Sequence, residues 1–146
     1  MGRRLRLPGG RDVTATLDTP DADCAVVACP PHPQMGGDRT DSRLRAVSDA
    51  LSERDIACLR FDYGPWDEGR GERTDARNAL AWAHDEYESV GLFGYSFGGG
   101  VAILVTRDTA GTGDAPAAVS VLSPVGHLGN EAVAAAVDGV DCPLQV

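Results

Sequence analysis

The chain predicts an α/β architecture, a doubly wound, mostly parallel sheet with helices on both faces. Three observations carry that expectation. Short apolar runs alternate with stretches of helical period from Ala25 onward, and strands separated by helices pair in parallel through right-handed crossovers. A serine framed by glycines, Gly94-Tyr95-Ser96-Phe97-Gly98, stands where an apolar run gives way to a helical one. Two alternating segments joined by Pro8-Gly9-Gly10 precede all of this and resemble an antiparallel hairpin.

The elements follow in order. Arg3 to Leu7 and Asp12 to Leu17 alternate apolar and polar residues and form the hairpin. Ala25 to Cys29 is a short continuous apolar run, the mark of a strand buried on both faces. After a Pro- and Gly-rich loop, Asp41 caps a helix to about Arg54, with Leu44, Val47 and Leu51 at helical spacing. Ile56 to Phe61 is the next strand. A second helix opens at Thr74 and runs to about Tyr87, with Ala76, Leu80, Ala83 and Tyr87 on one stripe. Val90 to Phe93 is a strand, Phe97 to Thr106 a helix, and Ala117 to Leu122 a strand. Glu131 to Val137 is a short Ala-rich helix, and Pro143 to Val146 opens one more strand.

Composition narrows the function. The 146 residues, 42% of them hydrophobic, suit a single domain with a real core. The net charge is −9 and every basic residue apart from histidine is an arginine. An acidic, lysine-free surface repels nucleic acid and anionic lipid, so neither is an expected partner. The Asp excess points to a halophile-like surface adapted to salt, while codon bias alone would explain the absent lysine. No run is apolar enough to span a membrane, and the basic N-terminus lacks the apolar core of a signal peptide, so a cytoplasmic location is expected. The four cysteines, Cys24, Cys29, Cys58 and Cys142, lack metal-ligand spacing and read as thiols, not as a zinc site or disulfide framework.

The chemistry centres on Ser96. Strand, sharp turn and helix are the context a nucleophile elbow requires, because a strained turn lifts the hydroxyl off the sheet edge. The Phe97 amide then lies at a helix N-terminus and can donate to a developing oxyanion. A Gly-rich turn that serves only close packing is the alternative. A Walker A loop is excluded because it needs a lysine, and no G-x-G-x-x-G follows a strand. Loops at the carboxyl ends of parallel strands build the site in such sheets. The Pro30–Asp38 loop can supply a second oxyanion donor, for which Gln34 is the candidate and Met35 the next. His32 shapes that loop, and Tyr63, Trp66 and Tyr95 are candidates for the pocket wall.

Here the motifs acquire a resemblance. His32-Pro33-Gln34-Met35-Gly36-Gly37 after an apolar strand resembles the H-P-x-x-G-G loop of dienelactone-hydrolase-like α/β-hydrolases. Arg60-Phe61-Asp62-Tyr63 is similar to their R-F-[ND]-[FY] strand end. Gly69-Arg70-Gly71-Glu72 with Asp75 is similar to their G-x-G-E-x-x-D approach to the next helix, and G-Y-S-F-G-G completes the order. The resemblance covers Ala25 to about Leu122 and implies an α/β-hydrolase fold lacking its last strands, with no metal or organic cofactor. Two departures matter. Pro30 stands where the family often has a first histidine, and Ser96 stands where dienelactone hydrolases proper use cysteine. The implied activity is therefore that of a serine esterase on a small ester or lactone, without dienelactone being singled out.

A serine nucleophile needs a base and an orienting carboxylate. The resemblance implies that the acid follows the strand beginning at Pro143 and the histidine one strand later. The expectation is thus one domain, residues 1–146, whose acid- and histidine-bearing C-terminal part is missing. His127 is the one histidine after Ser96 and the substitute base to test, although Asp108 and Asp114 belong at the far end of the sheet from it. The alternative function is a non-catalytic fragment or a binding module without a working base. Peptidase or acyltransferase chemistry on the same scaffold would differ only in pocket and acceptor. An uncovered sheet edge would also favour self-association.

Overall fold

A computed structural model of the protein describes residues 2–146. The hairpin forms as β1 (Gly2–Leu7) and β2 (Val13–Asp18). Then come β3 (Cys24–Cys29), α1 (Ser42–Ser52), β4 (Ala57–Phe61), α2 (Arg70–Glu86), β5 (Ser89–Tyr95), α3 (Phe97–Thr109) and β6 (Val119–Leu122). A small hairpin, β7 (His127–Leu128) and β8 (Glu131–Ala132), leads into α4 (Val133–Ala136), and β9 (Leu144–Gln145) ends the series. Seven strands form one sheet in the order β1-β2-β4-β3-β5-β6-β9. The β1–β2 and β2–β4 pairs are antiparallel and all the others parallel.

Period-two alternation divides the core between the two faces. Val27, Cys29, Leu59, Phe61, Val90 and Leu92 face α2 and α3 in the larger cluster. Ala28, Cys58 and Phe93 face the other way and meet Leu44 of α1. Helix α3 is apolar on nearly every side because the sheet, α2, the β7–β8 hairpin and α4 all pack around it. Burial raises the Cys29 thiol's pKa, and that of Cys58 to about 12, so both behave as small hydrophobes.

Three expectations shift. Helix α2 begins at Arg70, four residues before Thr74, because the Glu72 carboxylate accepts from the amides of Gly69 (2.8 Å) and Asp67 (2.9 Å) and caps an earlier turn. Helix α3 runs to Thr109, beyond Thr106. The Ala-rich helix starts at Val133 because Glu131 and Ala132 pair with His127 and Leu128. By contrast, Asp41 caps α1 as expected, accepting from Arg43 at 2.8 Å and Leu44 at 3.3 Å.

Candidate active site

The turn between β5 and α3 is built on close backbone contact. A Cβ at Gly94 would lie 2.0 Å from the Gly98 carbonyl oxygen, and one at Gly98 would lie 2.2 Å from that of Cys29. Only glycine fits at either position, so the two glycines of G-x-S-x-G are steric requirements. Between them Ser96 is held at φ 57°, ψ −113°, a region that side chains rarely occupy. Its amide donates to Leu122 (2.9 Å), and its carbonyl accepts from Gly99, Gly100 and Val125. Ser96 is half-buried, and its Oγ forms no hydrogen bond among the described residues. The Phe97 N–H opens α3 with no acceptor against it among those residues.

The Pro30–Gly37 loop lies beside this turn. His32 Nδ1 accepts from the Gln34 amide (3.1 Å), and the His32 carbonyl accepts from Met35 and Gly37 (3.0 Å each). The expectation that Gln34 or Met35 offers a free donor therefore gives way: both amides are already engaged. Pro30, Pro31 and Pro33 have no N–H, which leaves the His32 amide as the loop donor without an acceptor among the described residues. Because Nδ1 accepts, a neutral His32 carries its proton on Nε2.

Aromatic rings bind the loops together. The His32 ring lies 4.6 Å from Trp66 and 4.7 Å from Phe97, centroid to centroid. Trp66 is 5.9 Å from Phe97. Tyr63 meets Phe97 edge-on at 5.6 Å and donates its hydroxyl to the Pro30 carbonyl at 2.9 Å. Burial raises the Tyr63 pKa well above its ordinary value, so the phenol stays protonated as that donor. His32, Tyr63, Trp66 and Phe97 thus form one wall. Met35 projects from the neighbouring turn and is 85% exposed. Tyr95 turns away from this wall: its ring lies beneath the Arg43 guanidinium at 4.3 Å and packs toward α1.

The histidines do not complete a triad. His127 is exposed on β7, and its side chain makes no hydrogen bond among the described residues. Asp108 is held by Arg73 and Arg107. Burial raises its pKa, but those two guanidinium partners outweigh it and leave the carboxyl below its ordinary value. His84 is half-buried on α2 with Nε2 enclosed and unpartnered among the described residues.

Sequence reasoning missed the support behind Trp66. Asp75, fully buried, accepts from Arg11 Nε (2.7 Å) and from the Gly64 amide (2.9 Å). Arg11 also donates to the Pro65 carbonyl (2.7 Å), and its Nη2 lies 3.6 Å from buried Glu72. The G-x-G-E-x-x-D spacing was a visible signal for the carboxylates. Arg11 lies 64 residues from Asp75, and no local pattern announces it.

No protein-family model and no curated protein sequence matches the chain. Solved structures do. An α/β serine hydrolase without lid from Xanthomonas campestris aligns with TM-score 0.77 at 22% identity, over 97% of this chain and 67% of its own. A dienelactone hydrolase from Anabaena variabilis aligns with TM-score 0.80 at 21% identity, over 99% of this chain and 71% of its own. Est1E from Butyrivibrio proteoclasticus aligns with TM-score 0.72 at 20% identity, over 85% of this chain and 51% of its own. The chain therefore spans between half and seven-tenths of the length of these three structures. Strand order, the strained serine turn and these alignments agree: the chain has the α/β-hydrolase fold.

Proposed function

We propose that the protein is a serine hydrolase acting on small carboxylic esters or lactones through an acyl-enzyme on Ser96. The observation that carries this reading is the strained Ser96 turn with the unspent Phe97 N–H beside it. Ser96 Oγ attacks the ester carbonyl carbon as a general base takes its proton, and the carbonyl oxygen takes the negative charge between the amides of Phe97 and His32. Collapse breaks the bond to the leaving oxygen, which takes that proton and departs as the alcohol, or stays tethered if the substrate is a lactone. Water then gives a proton to the same base and cleaves acyl-Ser96, releasing the carboxylic acid and regenerating the hydroxyl. The resemblance assigns the general base and its carboxylate to the region following the strand that Leu144 opens. This chemistry requires no metal or organic cofactor.

Esterases and a dienelactone hydrolase among the structural neighbours support the ester and lactone class. The wall of His32, Trp66 and Phe97 gives an acyl group an apolar surface to lie on. Hydrolysis of p-nitrophenyl acetate tests the reading: Ser96→Ala should lower turnover at least about a hundredfold. Equal rates for the two proteins would overturn it. A second reading, a binding module that retains the site without turnover, is favoured by one observation: no histidine bonds to Ser96 Oγ among the described residues. Saturable ester binding with no Ser96-dependent turnover would select that reading.

A further inference from the structure

We propose that Arg11, on the N-terminal hairpin, is a positioning residue that holds the Trp66 wall against the oxyanion amides. Its guanidinium reaches across the fold and binds two things at once, the buried Asp75 carboxylate and the backbone carbonyl of Pro65, next to Trp66. Asp75 and the neighbouring Glu72 hold the rest of that loop, Asp75 through the Gly64 amide and Glu72 through those of Asp67 and Gly69. Space is reserved for the contact. A Cβ at Gly71 would come within 2.5 Å of Arg11 Cζ, so α2 opens its first turn to admit the side chain. Trp66 in turn packs on His32 and Phe97, whose amides are the proposed donors. A carbonyl and a carboxylate bound by one planar fork fix orientation, which a point charge on a flexible stem does not.

Lysine at this position keeps the ion pair with Asp75 but cannot also span to Pro65. The test places Arg11→Lys and the double variant Arg11→Met/Asp75→Asn in a Trp82→Phe background, where Trp66 is the sole tryptophan. The double variant removes the Asp75 charge together with its partner and leaves Glu72 held by the amides of Asp67 and Gly69, so that a folded protein without Arg11 is available. Acrylamide quenching of Trp66 fluorescence should rise about twofold in both, and the rate of fluorophosphonate labelling at Ser96 should fall about tenfold, as expected when a wall next to the reacting atoms loosens. The conservative lysine should not rescue either readout. Unchanged quenching in a folded variant of either kind would overturn the proposal. The labelling arm rests on the acyl-transfer reading, and the quenching arm does not. Absence of labelling in the parent protein would thus count against that reading alone, while quenching still decides the role of Arg11.

Discussion

Gly98 packs against the backbone so tightly that a single added methyl group would lie 2.2 Å from the Cys29 carbonyl oxygen and 2.5 Å from that of Pro30. Backbone atoms cannot swing aside as a flexible side chain can, so the cost falls on the turn itself. Gly98→Ala should destabilise the protein by about 3 kcal/mol, read as a lower urea midpoint with an unchanged slope. A change below about 0.5 kcal/mol, the range of ordinary surface substitutions, would contradict the contact. The elbow was legible in the sequence because its requirements are local: two glycines, one serine, an apolar run before and a helix after. The donor in the Pro30–Gly37 loop was not legible. Proline excludes some amides on paper, but only the folded loop reveals that His32 Nδ1 has already taken the Gln34 N–H.

Between elements, arginine–carboxylate contacts join what hydrophobic pattern alone would leave loosely registered. Asp18 at the end of β2 accepts from Arg60 Nε of β4 at 2.7 Å and from the Ser48 hydroxyl of α1. Burial pushes the Asp18 pKa up, but the hydrogen bonds from Arg60 and Ser48 and the Arg60 charge outweigh it, and the net shift is downward. The sign follows. A carboxylate with a depressed folded pKa contributes stability that is fully present above its unfolded value and is lost as pH falls through the folded one. The protein should therefore lose stability from about pH 4 downward. Asp18→Asn should cost about 2 kcal/mol at pH 7 and flatten that acid limb. An acid limb as steep in the variant as in the parent would contradict the assignment. Helical and strand periods were readable from β1 through β6 but not in the β7–β8 hairpin. The start of α2 was not, since its cap is a buried Glu72 that serves the preceding loop and the helix together.

At the scale of the molecule the two faces of the sheet are unequal. Helices α2 and α3 cover one, whereas α1 leaves a groove of about 480 Å³ between itself and β5, β6 and β9, lined by Val26, Val47, Leu51, Phe93 and Leu144. Leu122, 47% exposed, lies farther along the same side. Apolar surface of this kind drives association once charge repulsion is screened. The −9 charge carries an expectation of its own. Salt shortens the Debye length from about 30 Å at 0.01 M to about 3 Å at 1 M, so the melting temperature should climb across that range. A flat response would refute the salt-adapted reading of the composition. The mostly parallel sheet followed from alternation and crossover rules, and the groove did not, because periodicity marks an apolar face without saying what lies on it.

Function rests on Ser96 being an activated nucleophile. The most direct measurement is labelling of the protein with a fluorophosphonate in about 1 M salt, with the modified residue located by mass spectrometry and Ser96→Ala as the control. The expected result is one adduct, on Ser96, that vanishes in the variant. Soluble, folded protein that takes up no label, or takes it up equally without Ser96, would contradict it.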